Sequence, residues 1–207
     1  MLKFFFGPGS CALASHIALE ESGLPYEAVR LDLAAGEHQK PEYLKINPKA
    51  RVPALVTDRG VLTENPAILA YIAQVAPQAK LAPLEDAYAF GRIQAFNAYL
   101  CATVHVAHAH GRRGYRWADA QSSIDDMKRK VPQTMAACFD LIETDMFEGP
   151  WVAGADFTIA DPYLFTVASW LRSDGVDPAR FPKVNDHLQR MAARPSVRRV
   201  LPLHSRS

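Results

Sequence analysis

The chain has 207 residues, 49% of them apolar and 22% charged, enough for one large domain or two small ones around a buried core. Its 23 Lys and Arg nearly cancel its 22 Asp and Glu, so no global field draws it to nucleic acid or to an anionic membrane. The apolar start Phe4-Phe5-Phe6 breaks at Gly7-Pro8-Gly9, too soon for a signal peptide, and no later window approaches the roughly 18 apolar residues of a membrane span. Three widely spaced cysteines with no C-x-x-C or zinc spacing read as free thiols in a reducing cytoplasm.

Leu2 to Phe6 reads as an aromatic-rich strand, ended by the Gly-Pro-Gly turn. From Cys11 the apolar spacing Leu13, Ile17, Leu19 predicts a helix that stops at Gly23. Tyr26 to Leu33 is a second strand, and a crossover helix of that length makes the pair parallel. A short helix near Pro41 to Ile46 follows. Val52 to Val56 and Gly60 to Leu62 form a hairpin, and a helix from about Asn65 to Val75 closes the unit. The prolines at 77 and 83 place a linker there, and beyond it only helical patterns remain. These run over about 84 to 111, 121 to 147 with a kink expected at Pro132, 158 to 172, 180 to 193 and 195 to 202. The expected architecture is α/β plus all-α: one domain at 1–77, a helical domain at 84–207, and a ligand cleft between them.

Cys11 stands at the first turn of a helix, where unpaired N–H groups and the positive dipole end favour a thiolate. Cys101 and Cys138 lie inside helical patterns and read as buried packing residues. Pro53 sits where a strand begins, and a cis Val52-Pro53 bond would turn the Val52 backbone toward a peptide-like ligand; on residues alone the trans turn is the commoner solution. Asn65 is the expected N-cap, with Pro66 at the first helical position, and such a helix start suits a carboxylate. Thr158 and Asp161 have the spacing of a capping box. Cys101, His105, His108 and Arg112 share one helical face that could line the cleft, and their spacing supplies facing metal ligands only in part. The arginines nearby could attract an acidic co-substrate.

Gly-Pro-Gly-Ser-Cys-Ala-Leu-Ala-Ser-His-Ile at 7–17, Ile-Asn-Pro-Lys at 46–49, Val-Pro-Ala-Leu at 52–55, Leu-Thr-Glu-Asn at 62–65 and Thr-Ile-Ala-Asp at 158–161 together resemble bacterial beta-class glutathione transferases, and the likeness runs over nearly the whole chain. The resemblance implies an N-terminal thioredoxin-like domain that binds glutathione, followed by a helical bundle domain that forms a hydrophobic substrate pocket. It implies Cys11 as active-site cysteine, His105 beside it, Pro53 as a cis-proline, Val52 as backbone partner of glutathione, and Glu64 with Asn65 as the γ-glutamyl carboxylate site. Ser10 is the hydroxyl next to Cys11, and Phe6, His108 and Arg112 are assigned to the substrate pocket. Phe6, Ala12 and Val106 stand where the family often has tyrosine, serine and lysine, which leaves Cys11 as the main sulfur-activating group. The implied function is glutathione-dependent attack on a hydrophobic electrophile, a disulfide or a peroxide, with exchange through Cys11 expected to exceed conjugation. Glutathione is then the co-substrate, no metal is needed, and the chain works as a cytoplasmic homodimer. The alternative is a noncatalytic binding module of the same fold.

Overall fold

A computed structural model describes residues 1–205. Strand β1 (Leu2–Phe6) lies inside a four-stranded sheet of order β2-β1-β3-β4, with β2 at Tyr26–Arg30, β3 at Ala54–Thr57 and β4 at Gly60–Thr63. β1 pairs with β2 in parallel and with β3 antiparallel, and β3 and β4 form the hairpin. β2 is three residues shorter than its alternating pattern suggested. The Asp32 carboxylate accepts the N–H groups of Ala34 and Ala35, which turns the chain away from the sheet.

Helix α1 (Ala12–Ser22) ends at Gly23, whose φ of 70° is the left-handed cap that glycine adopts without steric cost. α2 (Pro41–Leu44) is a single turn, and α3 (Asn65–Val75) closes the sheet unit. The connecting segment is anchored rather than loose: Leu81 is buried, and its carbonyl accepts the Ile159 N–H at 2.8 Å. All remaining helices lie beyond it. They are α4 (Ala87–Tyr99), α5 (His105–Arg113), α6 (Gln121–Leu141), α7 (Ala160–Ala168), α8 (Pro182–Ala193) and α9 (Pro195–Val200).

The helix expected over 84 to 111 is thus divided, because residues Leu100–Val104 form a π-helical turn between α4 and α5. Such a turn inserts an extra residue and resets the face presented by all that follows, and it is frequent at functional sites. α6 continues through Pro132, whose missing N–H the helix tolerates. One apolar core joins both halves of the chain, from Phe4, Leu55 and Ile68 to Phe139, Tyr163 and Leu164. α1 is its axle, packed against α3 of the sheet unit and against α7 and α9 of the helical unit. The start of α1 is therefore held from both sides, and the cleft opens there.

Candidate active site

A cavity of about 640 Å³ runs along the start of α1 between the β3 approach and the wall made by the π-helical turn and α5. One side carries Ser10, Cys11, Arg51, Val52, Pro53 and Glu64; the other carries Cys101, His105, His108, Arg112 and Arg113. A smaller cavity of about 280 Å³ adjoins it, sharing Ser10, His108, Arg112 and Trp170.

Val52-Pro53 is a cis peptide, and the Cys11 thiol donates to the Val52 carbonyl, Sγ to O 3.7 Å. The sequence reading expected a thiolate at this helix start. The surroundings favour a thiol: burial pushes Cys11 up to about 12, against the lowering field of the Arg113 guanidinium, although part of its surface stays open to the cleft. Loss of hydration outweighs the helix N-terminus, and a carbonyl acceptor stabilises only the protonated form. Ser10 does not reach out either. Its hydroxyl donates to the Gly7 carbonyl at 2.6 Å and accepts the Ala12 N–H at 3.3 Å, which fixes the turn that delivers Cys11.

Asn65 is not the N-cap that its sequence context suggested. Glu64 holds that position with φ 70° and ψ 127°, a backbone conformation that non-glycine residues adopt at a cost and that clusters at functional sites. Asn65 begins α3 and is buried, accepting from Ser15 Oγ at 2.5 Å and donating to the Cys11 carbonyl at 2.8 Å. Its side chain therefore ties α3 to α1. The Glu64 carboxylate is exposed and lies 2.7 Å from the Lys49 ammonium.

On the opposite wall the His105 Nε2 lies 3.2 Å from an Arg113 nitrogen. A guanidinium only donates, so Nε2 accepts and the ring is neutral. Burial first, then the positive charges of Arg113, His108, Arg51 and Arg116, hold His105 down at about 3. Held so low, it stands in the cleft wall as a neutral ring and not as a cation. His108 donates to or shares a proton with the Asp174 carboxylate at 2.8 Å and stacks on Trp170 at 4.3 Å. Arg112 borders both cavities, whereas Phe6 borders neither. The pleat turns Phe6 to the α1 side, where it is buried against His16 and His204 with ring centroids 4.8 and 4.6 Å away, so it is a core residue.

Cys138 is buried as expected, but Cys101 is partly exposed and borders the same cavity as Cys11. Tyr163, buried in α7, has its phenol beside Cys101 and Asn65, and burial first, then the neighbouring Cys11, raises it well above its ordinary value. Sequence reasoning missed Arg113, the nearest cationic influence on Cys11. Eight helical residues span about 12 Å, so its bond to His105 depends on a long side chain reaching back, which no spacing rule shows.

Residues 1–74 match the family model of the glutathione S-transferase N-terminal domain, and residues 116–190 that of the C-terminal domain. The chain belongs to the glutathione S-transferase family. Glutathione S-transferase GST-4.5 of Xanthomonas campestris is 34% identical over 97% of both chains, and glutathione S-transferase GstA of Escherichia coli O157:H7 is 32% identical over 97% of both. A crystal structure of a glutathione transferase homologue from Sulfitobacter, with bound glutathione, superposes with a TM-score of 0.94 at 50% identity over 98% of both chains. Position 106 of the chain is Val, and the cation that acts on Cys11 is Arg113. That residue directly follows Arg112, the last member of the face that the sequence singled out.

Proposed function

We propose that the chain is a glutathione transferase in which residues 1–77 bind glutathione and residues 84–207 wall the site of the second substrate. The observation that carries this reading is the meeting of the Cys11 thiol with the Val52 carbonyl at 3.7 Å, beside the α3 start, in one cavity. A γ-glutamyl peptide laid along this edge pairs its backbone with Val52 and its α-carboxylate with the N–H groups at Glu64 and Asn65, while the Glu64 carboxylate meets its ammonium. The peptide's sulfur then lies against Cys11.

Because the Cys11 thiol keeps its proton, the working nucleophile is the sulfur of glutathione. Cys11 donates its S–H to the glutathione thiolate, and the Arg113 charge stabilises the same anion across the cleft. That thiolate attacks a carbon electrophile or a disulfide alike. Exchange through a Cys11 mixed disulfide becomes the secondary route. The family reading also carries a symmetric homodimer that works in the cytoplasm; no helix among the described residues is long and apolar enough to cross a membrane.

Titration calorimetry with glutathione, paired with steady-state conjugation kinetics, tests the reading. Cys11→Ala is expected to bind glutathione within a few-fold of the parent and to lose about tenfold in kcat/KM. That is less than the roughly 10²–10³ lost with a full oxyanion donor, because S–H donates weakly. Full turnover in Cys11→Ala removes the donor role, and absence of glutathione binding by the parent removes the function.

A further inference from the structure

The large cavity is strongly and one-sidedly cationic. Arg30, Arg51, Arg112, Arg113 and Arg116 all border it, and among the described residues none of the five is in an ion pair with a carboxylate. The two carboxylates that border it are engaged elsewhere, Asp32 with its own loop N–H groups and Glu64 with Lys49. For a chain of near-zero net charge this is a local concentration, not a reflection of composition.

The arginines divide between the walls. Arg30 and Arg51 stand on the sheet side, where the tripeptide runs. Arg112 and Arg113 end α5, and Arg116 ends the short turn Gly114–Arg116 that follows. A helix C-terminus favours basic residues, but that alone leaves them free to point to solvent. Here they border a cavity, and the Arg113 Nε is buried without a partner. Arg116 and Arg51 also hold the Arg113 guanidinium below its ordinary range, behind the larger effect of burial, so these cations lie close enough to repel one another. Like charges kept together at a stability cost, around an unfilled donor, make a preorganised anion site.

We infer that the second substrate of this enzyme is an acid, a small molecule with two or more carboxylates that Arg112, Arg113 and Arg116 hold while its reacting centre faces the glutathione sulfur. This departs from the hydrophobic electrophile expected from the family resemblance. It rests on the glutathione reading above for the identity of the attacking sulfur. Trp117 and Trp170 border the same cavity and provide flat apolar surface for the body of such a molecule.

The test compares two disulfides with the same reacting bond, neutral bis(2-hydroxyethyl) disulfide and doubly anionic 3,3′-dithiodipropionate, with glutathione as the thiol. In the first step the glutathione thiolate attacks one sulfur, the S–S bond breaks, and a mixed disulfide and a free thiolate form. A second glutathione then displaces the remaining thiolate, giving glutathione disulfide, and each released thiolate takes up the proton that its attacking thiol lost.

After correction for the uncatalysed rates, kcat/KM is expected to favour the dianion at least about tenfold, the effect of ~1.4 kcal/mol. The ratio should shrink between about 0.01 and 1 M salt, across which the screening length falls from about 30 to about 3 Å. The double substitution Arg112→Gln/Arg116→Gln, at exposed positions, should bring the ratio close to unity, and Arg112→Lys/Arg116→Lys should keep part of it. Equal use of the two disulfides by the parent overturns the inference, as does a preference that survives the glutamine substitutions. A matching loss of calorimetric glutathione affinity in the glutamine variant overturns it too, since the arginines then hold the tripeptide, and the glutathione reading stands. If the parent does not bind glutathione, that reading fails. Direct titration of the parent and the glutamine variant with 3,3′-dithiodipropionate then decides the acid site alone: affinity lost with the arginines supports it, and no affinity overturns it.

Discussion

At Cys11 burial, a backbone carbonyl and a guanidinium compete for one proton. Burial and the Val52 carbonyl favour the thiol, Arg113 favours the thiolate, and burial is the larger influence. In the glutathione-free protein, alkylation of Cys11 by iodoacetamide, mapped by mass, should therefore keep accelerating above pH 9, where an ordinary thiol with pKa about 8.5 levels off. Arg113→Leu removes the lowering influence and should slow alkylation at pH 8 by up to roughly tenfold, one pKa unit. Faster alkylation in Arg113→Leu would show that the guanidinium does not act on this sulfur. The position of Cys11 was legible from its turn and helix start. Its charge state was not, because burial sets it and its largest opposing influence, Arg113, is remote in sequence.

Among the elements, α7 depends on a buried carboxylate. Asp161 accepts from the Thr158 N–H at 2.7 Å, the Val152 N–H at 2.9 Å and His187 Nε2 at 3.0 Å, with both side chains of the His187–Asp161 pair fully buried. The sequence showed the Thr158 to Asp161 part, which is local. Val152 and His187 were invisible, since the loop before α7 and helix α8 meet it only after folding. The division of the helix at 100–104 was equally hidden, because a π turn leaves no gap in apolar spacing. Asp161→Ala leaves several buried donors unpaired, so it should cost roughly 3–5 kcal/mol in denaturant unfolding. Since Asp161 borders neither cavity, protein that still folds should keep its glutathione affinity. A loss under about 1 kcal/mol would remove Asp161 from its role as organiser of the α7 start.

At the scale of the whole molecule the far end of the chain closes onto its beginning. The turn Leu201–His204 docks on α1: the Gly9 N–H donates to the His204 carbonyl at 3.1 Å, and the His16 Nδ1 lies 2.9 Å from the His204 Nε2. Both rings are buried, and two imidazoles share a hydrogen bond only while at least one acceptor nitrogen is unprotonated. Burial lowers His16 to about 4 despite Glu20 nearby, and burial, His16 and Arg30 lower His204 to about 3. As pH falls below about 6.5 the unfolded chain therefore takes up protons that the folded chain refuses, so stability present above that pH is lost progressively down to about 4 and 3. Each fully coupled histidine contributes a slope of at most about 1.4 kcal/mol per pH unit, and His105, lowered to about 3, adds to the same window. Denaturant midpoints should thus fall from pH 7 to pH 5, above the range where most carboxylates titrate. His204→Gln removes one titrating group while keeping a polar side chain against His16, so its midpoint should start lower at pH 7 and fall less steeply. A parent midpoint unchanged across that interval would mean that the histidines charge freely in the folded protein.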